Sequence, residues 1–108
     1  MDLSDLQREH AAWLEHNFPD QKAHEPLLGL TEEVGELAHA HLKHEQGIRG
    51  LADQDLAYTK KMDAVGDIVI YLASYCTANN IELDKAVRLA WFEVSQRDWV
   101  EDPEGAAQ

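Results

Sequence analysis

Val65-Gly66-Asp67-Ile68-Val69-Ile70-Tyr71-Leu72-Ala73-Ser74-Tyr75-Cys76 is the most apolar stretch of the chain. It is apolar nearly all round a helical projection, which marks a central buried helix. That helix is expected over roughly Asp53–Ala78, ending at the turn signal Asn79-Asn80. Upstream, Pro26 suits a first helical turn, and Leu27, Leu30, Val34, Leu37, Ala38 and His41 fall in one stripe, predicting a helix from Pro26 to about His44. Gly47 and Gly50 then frame a loop, Glu45-Gln46-Gly47-Ile48-Arg49-Gly50. A first helix is expected from a Ser4/Gln7 capping box to about Asn17, stopped by Pro19. A fourth is expected from about Glu82 to Trp99, with Leu83, Ala86, Val87, Ala90 and Val94 as its core face. No alternating strand pattern occurs, so the reading is all-α, a bundle of four to five helices. It forms one domain over residues 1–102, and residues 103–108 read as a frayed tail.

An ionised carboxylate at Asp67, inside that apolar stretch, would be costly if isolated. It must be paired, protonated or bound to a metal. Asp63 lies one turn earlier on the same face, and Lys60 projects from nearly that face, so a salt bridge is the plain structural explanation. Thr31-Glu32-Glu33-Val34-Gly35-Glu36-Leu37 crowds three glutamates into five positions, with Glu33 and Glu36 on one side. Taken alone it reads as a solvated acidic face. With Asp63 and Asp67 on a facing helix, the carboxylates suit a hard divalent cation such as Mg²⁺. Gly35 and Gly66, each beside a carboxylate, suggest close approach of the two backbones.

The whole-chain balance narrows the partners. Twenty-one acidic against nine basic residues give a formal charge of −12, unsuited to gripping a nucleic-acid polymer and favourable to cations. One cysteine, Cys76, excludes an intrachain disulfide. No apolar run is long enough to span a membrane, and Met1–His10 lacks signal-peptide character, so a cytoplasmic location is expected. A chain of 108 residues buries only a modest core, which favours association with copies of itself.

The block Leu30–Leu37 followed by Asp63-Ala64-Val65-Gly66-Asp67 resembles the MazG-like all-α NTP pyrophosphohydrolases, which carry E-E-x-x-E and then E-x-x-D on the next helix. The first motif is complete in Glu32, Glu33 and Glu36. In the second, Asp67 matches, Ala64 stands where the glutamate is expected, and Asp63 is the candidate substitute. The resemblance spans about Trp13 to Trp99. It implies Mg²⁺-dependent hydrolysis of nucleoside triphosphates, often deoxy forms, between the α and β phosphates, by a homodimer or a tetramer of two dimers. Mn²⁺ is a possible substitute ion. By this resemblance Glu33, Glu36, Asp67 and Asp63 hold metal, and Glu32 and Glu33 are the catalytic pair, Glu32 serving the attacking water. Lys60, Lys61, Asn80, Arg97 and Arg49 are candidates for binding substrate.

Plainer accounts stand beside several of these. Arg97 can pair with Asp98 or another acid, Asn80 serves a turn or cap, and Trp13, Trp91 and Trp99 can be core residues or stack on a base. Two other functions compete. Glu36-Leu37-Ala38-His39 is an E-x-x-H of the kind found twice in di-iron bundles, here without a second copy on a later helix. The alternative without catalysis is an acidic helical interaction module.

Overall fold

A computed structural model describes residues 1–105 and contains four helices and no strand among them. They are α1 (Leu3–Asn17), α2 (Glu25–Gln46), α3 (Gln54–Ala78) and α4 (Leu83–Val94). No helix among the described residues is long and apolar enough to cross a membrane.

Local chemistry explains most boundaries. α2 starts with Pro26 in its first turn and ends at Gly47, whose φ of 68° is left-handed and favours glycine. α3 begins where the Asp53 carboxylate accepts from the Asp55 and Leu56 N–H groups. Two boundaries differ from the sequence expectation. The capping box of α1 is Asp2/Asp5, not Ser4/Gln7: Asp2 accepts from the Asp5 N–H at 2.8 Å, and Asp5 accepts from the Asp2 N–H at 3.1 Å. Gln7 instead spans the fold, donating to the Ile81 carbonyl and accepting from the Leu83 N–H. α4 stops at Val94 rather than Trp99, because the chain tightens after it. The Ser95 hydroxyl returns to the Phe92 carbonyl, and Asp98 accepts from the N–H groups of Val100 and Glu101, closing a separate turn. Gly105 donates to the Asp102 carbonyl within the expected tail, and residues 106–108 lie outside the described range.

α3 is the hub, touching each of the other three helices, while α2 meets neither α1 nor α4. α2 and α3 form a hairpin whose loop is closed by Leu51, whose carbonyl accepts from His44 Nδ1 at 2.6 Å and whose side chain packs with Ala40 and Ala57. A second small core joins Ala73, Cys76 and Leu83 to Leu3 and Leu6 of α1. Leu51 and Leu83 are the only leucine, isoleucine or valine residues that are buried among those described.

The central helix is therefore central without being covered. Val65, Asp67 and Ile70 of the apolar stretch are exposed, contrary to the expected burial of Asp67. Asp67 and Ile70 line open cavities beside α2 and α1 rather than packing beneath them. The expected core face of α4 fares likewise: only Leu83 is buried, and Val87 and Val94 remain open. Gly35 and Gly66 do not mark a close approach either, since a Cβ on either would meet nothing within 4 Å. The tight point of the α2–α3 seam is Gly29, where a Cβ would overlap the Tyr71 ring.

Candidate functional site

The seam between α2 and α3 positions the acidic residues. From the tight point at Gly29 and Tyr71, the next level along α2 carries Glu33, which faces Asp67 of α3. One turn further, Glu36, His39 and Ala40 face Ala64, Asp63 and Lys60. The seam thus carries carboxylates from both helices at successive levels.

Carboxylate oxygens of Glu32, Glu33 and Glu36 lie within 4.8 Å of one another, close enough to share one cation. Glu33 is the innermost. Its Oε2 is shielded from solvent and has no hydrogen-bond partner. Burial first, then the carboxylates of Glu36, Asp67 and Glu32, push the Glu33 carboxyl above its ordinary range. A shielded oxygen without a partner, among converging carboxylates, fits a divalent cation with oxygen ligands. Asp67 and Asp63 stand across the seam, outside that closest group.

Two cavities share Asp67 in their linings, Glu33 lining the first and Glu36 and Asp63 the second. The first, about 340 Å³, is a ring pocket: Trp13 and Phe18 pack 5.9 Å apart at their ring centroids, and Tyr71 and Ile70 line its far wall. Besides Glu33, Asp67 and Tyr71, its polar residues are His10, Gln21 and Ser74. The buried Ser74 hydroxyl donates to Gln21 Oε1 at 3.3 Å, and His10 Nδ1 is shielded without a partner. Burial holds the His10 imidazole below its ordinary pKa. The second cavity, about 470 Å³, is a cleft lined by Glu36, His39, Lys60, Asp63 and Asp67 over a floor of Ala40 and Ala64. Ala64, in the place of the glutamate expected from the resemblance, is buried and offers no ligand.

Other sequence candidates lie elsewhere. Lys60 lines the cleft and makes no ion pair with Asp63 or Asp67, while Lys61 lines neither cavity. Arg97 follows α4 and lies 3.7 Å from Glu93, away from both cavities. Arg49 and Asn80 both have left-handed backbone, in the α2–α3 and α3–α4 connections, and neither lines a cavity. Trp13 lines the ring pocket instead of a core. Sequence reasoning missed His10, Phe18, Gln21, Tyr71 and Ser74. Ser74, a polar residue inside the apolar stretch, was the available signal. Comparison of the chain with protein-family models, curated proteins and solved structures finds no match.

Proposed function

We propose that the protein is a Mg²⁺-dependent nucleoside triphosphate pyrophosphohydrolase of the MazG-like type, acting on deoxynucleotides among others and clearing unwanted nucleotides. One observation carries this reading. The carboxylates stand at the junction of an aromatic pocket and a cleft bearing a lysine, so a ligand with a flat ring at one end and a polyanion at the other fits along the seam. The cation-binding groups then lie beside the phosphate nearest the ring, which is where cleavage between α and β would occur.

In this mechanism Glu33, Glu36 and Asp67 hold the metal, and Asp63 completes the shell or serves a second ion. When bound, Mg²⁺ or Mn²⁺ neutralises phosphate charge and stabilises the departing pyrophosphate. Trp13 and Tyr71 fix the base, which fixes the α-phosphorus against Glu33. Glu32 orients a water and takes its proton as the water oxygen bonds to the α-phosphorus. The bridging α–β P–O bond breaks, and pyrophosphate leaves with the electron pair. Positioning and charge neutralisation supply most of the rate in such transfers.

The reading includes a homodimer, or a tetramer of two dimers. Within one chain Arg97 lines neither cavity, so any contact of Arg97 with phosphate at the glutamates would come from a second copy. The test is a panel of all NTPs and dNTPs with Mg²⁺, resolving products by chromatography. Monophosphate plus pyrophosphate is expected. Diphosphate plus orthophosphate would refute the proposed bond, and no turnover of any nucleotide would refute the enzyme.

A further inference from the structure

We propose that the ring pocket selects nucleotides whose base carries a positive charge, the class formed when a ring nitrogen of adenine, cytosine or guanine is alkylated. The nucleotide rests on the hydrolytic reading, but the pocket's preference for charge does not depend on phosphate. Three aromatic side chains, Trp13, Phe18 and Tyr71, line this cavity of about 340 Å³ together with the carboxylates of Glu33 and Asp67. No lysine or arginine among the described residues lines it. His10 adds no positive charge at neutral pH, because burial holds its imidazole below the ordinary value. Aromatic rings and carboxylates thus surround a space that holds no fixed cation, and both attract positive charge.

Ring geometry separates a charged base from a neutral one. The Trp13 and Phe18 rings lie 5.9 Å apart and are inclined by 60°, so they do not form the parallel slot that sandwiches a flat neutral base. A cation needs no parallel plates, since it is drawn to the face of any ring within about 6 Å. Both rings are half-exposed, Trp13 at 52% and Phe18 at 59%, so a ligand that enters covers them and strengthens that attraction by excluding water. The wall keeps its sign when the proposed metal is present. One divalent ion shared by Glu33, Glu36 and Asp67 leaves their three carboxylates net negative, and the α-phosphate adds its own charge. A cationic base therefore meets attraction from rings and wall together, whereas a neutral base meets stacking alone.

The decisive measurement is an NMR titration of the full chain at pH 7 with three nucleosides, following the Trp13 indole N–H. The probes are adenosine, N1-methyladenosine, which is cationic at this pH, and N6-methyladenosine, which carries the same methyl without charge. N1-methyladenosine should bind at least about 5-fold more tightly than either neutral nucleoside. Trp13→Leu and Phe18→Leu keep an apolar side chain but remove a ring, and each should shrink that preference, read on a remaining pocket signal. With Mg²⁺, the kcat/KM ratio of N1-methyl-dATP to dATP should favour the charged base by a similar factor. Equal binding of all three nucleosides would overturn the proposal, even in a chain that hydrolyses triphosphates. An equal gain for N6-methyladenosine would overturn it by making the methyl the determinant, and so would a preference that survives both substitutions. If no nucleotide turns over but the charged nucleoside is preferred through the rings, the hydrolytic reading falls and the pocket assignment stands. Absence of both turnover and nucleoside binding would sink both.

Discussion

Glu33 combines a structural cost with a chemical use. Its carboxyl is raised above the ordinary value of 4.5, mainly by burial and then by Glu36 and Asp67. The folded chain therefore binds this proton more tightly than the unfolded chain does. The group favours folding most at low pH and opposes it as pH climbs from about 4.5 through the raised folded value. Glu33→Gln removes that opposition. Without metal at pH 7–8 it should raise Tm by on the order of a few degrees, and the gain should vanish near pH 4. The same substitution removes the innermost proposed ligand, so the stabilisation expected of saturating Mg²⁺ in the unsubstituted chain under the proposed function, about 2.7 kcal/mol at 100 times Kd, should largely disappear. Differential scanning calorimetry with and without Mg²⁺ measures both. A variant less stable than its parent at pH 8 without metal would show that Glu33 is a structural hydrogen-bonding group. The sequence made Asp67 the costly carboxylate and named Glu33 a ligand from a segment that, taken alone, read as a solvated face, whereas Asp67 is exposed and the shielded, partnerless oxygen belongs to Glu33. Apolar neighbours in sequence did not predict burial, because burial depends on what packs over the helix.

At the scale of elements, what was legible was whatever local chemistry decides. Pro26, Asp53 and the Asn79-Asn80 turn mark helix ends through their own backbone or side-chain preferences, and α2 and α3 fall within two residues of expectation. α4 was overrun because Ser95-Gln96-Arg97-Asp98 holds no proline or glycine to stop a helix before Trp99, while the turn that ends it depends on Ser95 and Asp98 bonding locally. The acidic faces of α2 and α3 were legible as a pair, since helix phase alone puts them on the seam. The ring pocket was not, because it joins α1, the α1–α2 connection and α3, and no periodicity within one helix reports that meeting. The seam makes a prediction about sign. Glycine to alanine inside a helix ordinarily stabilises by about 1 kcal/mol. Gly35→Ala and Gly66→Ala, with open space around the added methyl, should show that gain. Gly29→Ala should do the reverse, because its methyl would overlap the Tyr71 ring and overpacking costs about 1–3 kcal/mol. A net loss of about 1 kcal/mol should lower Tm by roughly 4–8 °C. Tyr71 also lines the ring pocket, so Gly29→Ala alone among the three should raise KM for nucleotide by displacing that wall. Thermal melts that show all three variants stabilised would mean the ring moves aside freely and the seam is not tight there.

The whole chain exposes more than a folded monomer of its size should. Its accessible surface is 8129 Å², against roughly 6,000 Å² for a compact protein of 12.2 kDa. Its radius of gyration is 17.6 Å, against about 13 Å. The surplus, on the order of 2,000 Å², is rich in large apolar side chains: Phe92 is 71% exposed, Trp91 65% and Leu89 62% on α4, and Val65 and Met62 are open on α3. The buried set is mostly alanine, so this surface holds much of the apolar area with which the fold could be stabilised. If a little over half of the surplus is apolar, as protein surfaces are, covering it is worth on the order of 25 kcal/mol per protomer, against about 4–15 kcal/mol for association. A second copy of the chain is the partner that the proposed function already contains, and at −12 per chain only an apolar contact of this size outweighs the mutual repulsion. Sedimentation equilibrium at micromolar concentration should therefore give twice 12.2 kDa or a multiple of it, with a Tm that rises with protein concentration. Phe92→Asp, on the exposed side of α4 and remote from both cavities, should dissociate the assembly and lower Tm together, because association and folding share the same surface. A parent chain that sediments at 12.2 kDa, with a sharp melt independent of concentration, would show that the four helices stand alone despite their open faces.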